Sequence, residues 1–273
     1  MRTTRSFADI AYYAVVWAIG GFAIAILVVP VLVVLAISLT AEASLKFPPQ
    51  GLSLRWYRAL LDPVQSGHIH EAAFNSLSVA AAAAAFAMVI GTLAALWLDR
   101  HRGLGGRALD TAFMSPLVLP MLSFGLAALI IVTMLRQRPS LMWLTMGHLV
   151  VVVPFVLRTV TASLSQLDRA LIDSSRSLGA STLYTFRRVT LPVIAPGIAA
   201  GAFLAFVASM DNVPISLFLS NARTDMLPIR LWGMMESTLD VRVAAASGLL
   251  ILATTALLLI MNRLVGLNQR VGR

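Results

Sequence analysis

The chain has 273 residues, of which 59% are hydrophobic and 12% are charged, about half the roughly 25% charged content of soluble domains. Its mean hydropathy is +0.85, which excludes a soluble globular domain and intrinsic disorder and makes lipid the natural solvent for most of the chain. The net charge of +9 comes from 21 Lys and Arg against 12 Asp and Glu; in so apolar a chain it reads as basic loops flanking membrane helices, not as a nucleic-acid surface.

A spanning helix takes about 20 mostly apolar residues, because about 30 Å of hydrocarbon is crossed at about 1.5 Å per residue. Six segments qualify. The first covers about residues 11–39; it is too long for a signal-peptide core, no small-residue cleavage pattern follows it, and it is expected to be retained. A long loop follows, with Pro48-Pro49 and then Leu54-Arg55-Trp56-Tyr57-Arg58, a stretch suited to the membrane interface. The second segment covers about 72–98 and holds the alanine run from Ala80 to Ala85. The third covers about 112–135 and contains Pro116 and Pro120, and the fourth covers about 141–164. A polar loop over 165–190 separates it from the fifth, about 196–219, and the sixth covers about 243–265. The expected fold is all-α, a single polytopic membrane domain of six helices spanning the whole chain.

Six spans put both termini on one side, and the distribution of arginine and lysine chooses the side. The termini, the second-to-third connection and the fourth-to-fifth connection hold thirteen basic residues, among them Arg2, Arg5, Arg270 and Arg273; the other loops hold eight. The first set is therefore expected to be cytoplasmic, with both termini inside.

Several chemistries are absent. The chain has no cysteine, so disulfides, thiolate chemistry and cysteine-ligated metal sites are excluded. Its only lysine, Lys46, follows Leu45, so there is no Walker A phosphate loop and the chain is not itself a P-loop ATPase. No His/Asp/Glu cluster has metal-ligand spacing, and no serine–histidine–acid set is evident.

The 165–190 loop is the most informative segment. Leu164, Leu167, Leu171, Ile172 and Leu178 recur at three- and four-residue steps, which predicts a helix. Gly179 can supply the backbone of a helix stop, and Ser181 can cap a second short helix. Pro192 and Pro196 suit the entry of a membrane helix. The product is a compact helical knuckle with an apolar ridge. Such a knuckle suits insertion into a groove on another protein, and it equally suits a linker packed on its own bundle.

Here the sequence resembles a known family. Asp173-Ser174-Ser175, then Gly179, then Val189-Thr190-Leu191-Pro192 reproduce the spacing of the Glu-Ala-Ala loop of the permease subunits of binding-protein-dependent ABC importers. Asp173 replaces the Glu, and Ser174 and Ser175 replace both Ala. Leu52-Ser53-Leu54-Arg55-Trp56-Tyr57, Asn75-Ser76-Leu77, His148 with Pro154, Ser209-Met210-Asp211-Asn212, Ser216-Leu217-Phe218, Leu227-Pro228-Ile229-Arg230-Leu231-Trp232 and Ala244-Ala245-Ala246-Ser247 extend the likeness over nearly the whole chain. They are similar to the polyamine branch, the second permease of spermidine/putrescine importers.

The resemblance implies the type I importer permease fold, in which the knuckle is a coupling helix between helices 4 and 5. It implies a non-enzymatic transport subunit in the bacterial cytoplasmic (inner) membrane. Its partners would be a second permease in a heterodimer, an ABC ATPase dimer that carries the ATP and Mg, and a periplasmic or extracellular solute-binding protein. ATP binding would close the ATPase dimer and push the knuckles, which is a population shift driven by a partner. The residues expected to couple are Leu171, Ile172, Asp173, Ser174, Ser175, Leu178, Gly179, Ala180, Phe186, Arg187, Arg188, Leu191 and Pro192. Asp173 would cap or steady the knuckle or stand as a solvated charge, and Phe186 would touch the ATPase or pack under the loop. Arg187 and Arg188 would meet acidic ATPase residues or lipid headgroups.

Asp211 near the end of a membrane helix is a candidate for a cationic substrate's path or a hydrated cap at the interface. His148, Ser209 and Trp232 join it as pathway candidates, with His148 equally readable as a structural hydrogen-bonder. A secondary transporter driven by an ion gradient is the rival class; it calls for a mid-membrane proton or ion relay and internal repeats, and neither stands out beyond Asp211.

Overall fold

A computed structural model describes the backbone of residues 7–271 and the side chains of residues 11–263. Arg2, Arg5, Arg270 and Arg273, which entered the orientation argument, lie outside the described side chains. The described residues are overwhelmingly helical, and an isolated bridge joins Thr40 to Leu52. The helices are α1 (Phe7–Ser38), α2 (Arg55–Leu61), α3 (Pro63–Arg100), α4 (Leu104–Val118), α5 (Met121–Met134) and α6 (Leu141–Leu164). Then come α7 (Arg169–Ser177), α8 (Thr182–Thr185), a π-helical turn (Phe186–Thr190), α9 (Leu191–Met210), α10 (Val213–Leu219), α11 (Leu227–Thr238) and α12 (Arg242–Val271). Helices dominate because lipid offers no partner to a backbone N–H or C=O, so each spanning segment must satisfy its own.

Among the described residues five helical stretches are long and apolar enough to cross a membrane: Ala11–Ser38, Pro63–Arg100, Leu141–Leu164, Thr182–Met210 and Arg242–Arg263. The fourth expected span matches α6 at both ends. The third does not form one helix. It divides into α4 and α5, bent by 103° from each other, and only as that pair do they make a sixth span. Leu119 takes an extended conformation (φ −72°, ψ 142°) between them. Pro120 is the cause, because its ring disfavours helical backbone in the residue before it.

The fifth expected span, 196–219, shifts toward the N-terminus. Helix runs unbroken in hydropathy from Thr182 to Met210 and stops at Asp211. Asn212 then starts α10 afresh: its side chain accepts the Ile215 N–H at 3.0 Å, and Pro214 occupies the first turn. The second span begins earlier than expected, at Pro63, because Asp62 accepts the Val64 N–H at 2.9 Å and supports a polar first turn that hydropathy does not register. Ser66 leaves helical geometry there (φ −129°, ψ 19°) and marks a kink.

The chain forms two compact units. One holds the described residues up to Ser66 together with Met234–Ala253. In it Ser38 and Tyr57 share a hydrogen bond at 2.8 Å, and the Trp56 indole donates to the Glu42 carbonyl at 3.1 Å. Burial pushes the Asp240 carboxyl up, but the Arg242 guanidinium, 2.6 Å away, outweighs it and holds that carboxyl below its ordinary value. None of the most apolar window of α1 is buried against the rest of the chain.

The other unit, Gly67–Gly233 with the chain from Thr254 onward, is organised around α6. Val152, Val156, Leu157 and Val160 of α6 are buried against Ala83, Ala84, Ala87 and Ala95 of α3 and Ile194 and Ala205 of α9. A smaller cluster joins Leu144 and Val151 to Val132 of α5 and Ile215 and Leu219 of α10. In lipid such burial gains little hydrophobic transfer, so close backbone approach and dense contact must hold the helices together. Glycine provides that approach. A Cβ on Gly201 of α9 would fall 2.7 Å from the Val156 Cα and against the Thr159 hydroxyl, and one on Gly91 of α3 would fall 2.8 Å from the Val156 Cβ.

Gly201→Ala is therefore expected to force α6 and α9 apart and destabilise the protein by about 1–3 kcal/mol, the usual cost of overpacking. Gly20→Ala on α1, where a Cβ meets open space, should leave stability unchanged. Thermal unfolding of the two variants in detergent would check the contrast.

Candidate functional site

The expected knuckle forms, and local chemistry accounts for each of its turns. The Asp168 side chain accepts the Ala170 N–H at 2.9 Å and starts α7. The cap is thus Asp168, not Asp173, whose side chain is exposed on the helix. At the other end Gly179 has φ +81°. The Ala180 N–H reaches back to the Ser175 carbonyl at 3.2 Å and the Gly179 N–H to the Arg176 carbonyl at 2.9 Å. This is the Schellman arrangement, which needs a left-handed residue where Gly179 stands. Ser181 then caps α8 by accepting the Tyr184 N–H at 3.3 Å.

The entry into α9 is also explained by sequence. Pro192 has no N–H to give the Arg188 carbonyl four residues back, and its ring crowds that carbonyl. The chain relaxes into a π-turn over Phe186–Thr190, closed by the Leu191 N–H bonding the Phe186 carbonyl. The Val-Thr-Leu-Pro part of the loop is thus the cause of a local widening at the base of the knuckle.

The apolar ridge divides in two. Leu164 is buried in the core and Leu167 packs against it, so both root the segment. Leu171 and Leu178 point outward, with Leu178 88% exposed, while Ile172 is half-buried. Leu183 and Tyr184 of α8 are exposed beside them, and periodicity in the preceding helix gave no signal for either. Arg187, Arg188 and Pro192 are exposed; Ala180, Phe186 and Leu191 are half-buried. Ser174 is exposed, whereas Ser175 turns inward and shares a hydrogen bond with the Thr185 hydroxyl at 2.9 Å. That bond ties α7 to α8 and gives the serine at this position an internal task.

The knuckle is tethered to α3 by charge. Arg169 in the first turn of α7 lies 3.4 Å from the carboxylate of Asp99, which also holds Arg102 at 3.0 Å. Nearby, Arg158 of α6 pairs with Asp110 of α4 at 3.1 Å. Exposed pairs of this kind contribute about 0.2–1 kcal/mol each, so Arg169–Asp99 orients α7 more than it stabilises it.

Two of the pathway candidates come together. His148 is fully buried, its Nδ1 2.8 Å from the Ser209 hydroxyl of α9 and its Nε2 3.3 Å from the Ser216 hydroxyl of α10. Ser216 in turn donates to the Asn212 carbonyl at 2.6 Å. With both ring nitrogens engaged, His148 joins α6, α9 and α10 across the α9–α10 break. Ser216 and Asn212 complete this node; both lie in the stretches that carry the family resemblance, but nothing in the sequence joins them to His148. Asp211 stands at the C-terminal end of α9 with its side chain exposed, and Trp232 lies exposed on α11.

Residues 87–271 match the family described as binding-protein-dependent transport system inner membrane component. The chain is 27% identical over 256 residues to the spermidine/putrescine transport system permease protein PotC of Escherichia coli, covering 93% of this chain and 95% of that protein. It is 31% identical over 212 residues to the putrescine transport system permease protein PotI of Escherichia coli, covering 74% and 73%. A chain of the crystal structure of a bacterial ABC transporter involved in the import of the acidic polysaccharide alginate has the same fold, with a TM-score of 0.73 over 97% of both chains at 16% identity. The chain therefore belongs to the binding-protein-dependent transport system inner membrane component family: it is a multi-pass permease subunit of an ABC importer, in a family whose ATPase is a separate subunit.

Proposed function

We propose that the knuckle from Asp168 to Thr190 is the surface through which a partner ABC ATPase drives this permease. The observation that carries the reading is the combination of a locally locked turn with outward apolar side chains. Leu171, Leu178, Leu183 and Tyr184 present contact area that water disfavours, and the Schellman turn and two helix caps fix their arrangement. A preformed apolar helix inserted in a groove loses little entropy on docking. Asp173, Arg187 and Arg188 are exposed around that surface and would set its charge register.

In this reading two permeases, this chain and a second, form a heterodimer around the path. Two ATPase subunits carrying ATP and Mg receive one knuckle each, and a solute-binding protein delivers the substrate from outside. The knuckle and both termini face the cytoplasm of a bacterial cell, in agreement with the arginine distribution. The substrate is a polyamine or a similar small cation. The support is the polyamine transport for which PotC and PotI are named and the exposed acid, Asp211, at the end of α9. His148 and Ser209 act by holding the α9–α10 break that carries Asp211, and Trp232 offers an exposed aromatic face to a cation.

Gly179→Val should leave the protein in the membrane but reduce the ATPase that co-purifies with it about tenfold. A left-handed backbone costs a non-glycine residue about 1–2 kcal/mol, and 1.4 kcal/mol is tenfold in an equilibrium. Full retention of ATPase by this variant would sink the docking role. For the substrate, ATP-dependent uptake into proteoliposomes holding the complete transporter would be measured for polyamines, ferric iron, phosphonates and sugars. Polyamine uptake is expected, and Asp211→Asn should raise its KM about tenfold. Uptake of another class alone would overturn the polyamine assignment and leave the coupling role standing.

A further inference from the structure

The end of α3, the first turns of α4 and the last turns of α6 enclose a cleft of about 550 Å³. Three guanidinium groups line it: Arg102, Arg107 and Arg158. Two carboxylates, Asp99 and Asp110, line it as well, and each is already committed, Asp99 to Arg102 and Arg169, Asp110 to Arg158. Among the described residues the Arg107 guanidinium has no hydrogen-bond or ion-pair partner, and neither does the Thr161 hydroxyl that shares the cleft. Arg102 and Arg158 each use two of their five N–H donors, on Asp99 and on Asp110 with Met114. The cleft thus holds an excess of cationic donors that the chain leaves unused.

The position of the cleft selects the anion. It lies where the span Pro63–Arg100 and the span Leu141–Leu164 both end, which is the depth of the lipid headgroups. Leu104, at the start of α4, is 86% exposed beside the lining residues, an apolar neighbour for an acyl chain. Guanidinium groups match a phosphate by paired, charge-assisted hydrogen bonds, and basic pockets between membrane helices are suited to anionic headgroups. We propose that this cleft binds the phosphate of an anionic membrane phospholipid, with Arg107 as the principal contact, Arg102 and Arg158 as flanking donors and Thr161 as a hydroxyl donor.

The site reports to the knuckle through one residue. Asp99 serves both Arg102, in the cleft, through Oδ1 at 3.0 Å, and Arg169, on α7, which lies 3.4 Å from either of its oxygens. A phosphate that draws Arg102 toward itself leaves Asp99 to Arg169 and tightens the tie between α3 and α7. An anionic lipid would then favour the arrangement of the knuckle that the ATPase engages; this last step rests on the docking role proposed above, whereas lipid binding itself does not.

The complete transporter would be placed in nanodiscs of phosphatidylcholine with and without phosphatidylglycerol, and the lipid retained after detergent extraction measured by native mass spectrometry. Phosphatidylglycerol should be retained in preference to phosphatidylcholine. Arg107→Gln should reduce that retention about tenfold, Arg107→Lys should reduce it less, and Arg138→Gln, on an exposed loop remote in sequence from the cleft, should not change it. Equal retention by the native protein and Arg107→Gln would overturn the site. Protection of the cleft by millimolar inorganic phosphate in pure phosphatidylcholine discs, lost in Arg107→Gln and without any preference for phosphatidylglycerol, would overturn the lipid in favour of a free anion. The same retention measured on Gly179→Val separates the two proposals: loss of ATPase with lipid retained supports the cleft independently of the knuckle, and full retention of ATPase with the lipid preference intact overturns the docking role alone.

Discussion

The structure depends on how closely backbones approach one another around Val156. Lipid gives helices no hydrophobic reason to associate, so they are held by contact density, and contact density needs small residues. Gly91 of α3 and Gly201 of α9 both close on Val156 of α6, and Gly197 one turn earlier closes on Thr159 and Ser163 of the same helix. Three helices of the larger unit therefore share one seam. The consequence reaches the loop: α6 leads into the knuckle and α9 leads out of it, so the segment joins two helices that are already locked together. A displacement of the knuckle is passed to both at once.

Rigidity in the knuckle comes from a different source. No residue of α7 is buried, so packing on the bundle cannot fix it. Its ends are instead satisfied one by one, by Asp168, by the Gly179 turn, by Ser181 and by the Ser175–Thr185 bond. These are short-range hydrogen bonds, each worth about 0.5–1.5 kcal/mol. Together they let four apolar side chains stay exposed in a defined arrangement. The His148 node is built differently. There a single buried ring bridges three helices, and its hydrogen bonds gain strength from the low dielectric around them. One polar device shapes a surface, and the other holds the break between α9 and α10.

The knuckle was legible in the sequence because its signals are local. A glycine at a helix stop, a serine three residues before a capped N–H and a proline that widens the preceding turn all act within about one helical turn. Hydropathy located the spans for the same reason, and it placed α6 without error. It failed where direction mattered more than apolarity. The segment over 112–135 is apolar throughout, yet Pro120 turns its backbone through 103°. Residues 213–219 are as apolar as the helix before them, but Asn212 ends one helix and starts another.

Residue roles divide along the same line. The sequence by itself determined that the chain lives in lipid, that it carries no Walker A phosphate loop, where the connecting knuckle lies and that Gly179 and Ser181 close two of its turns, because composition, spacing and capping are properties of adjacent residues. Only the tertiary structure decided that Leu164 is buried and Leu178 exposed, that Ser175 faces inward, that His148 serves Ser209 and Ser216, and that Asp99 holds Arg169. Those assignments join residues 61, 68 and 70 positions apart in His148–Ser209, His148–Ser216 and Asp99–Arg169. No periodicity within one helix specifies which face of a distant helix will meet it; that is set by the glycine seam along α6.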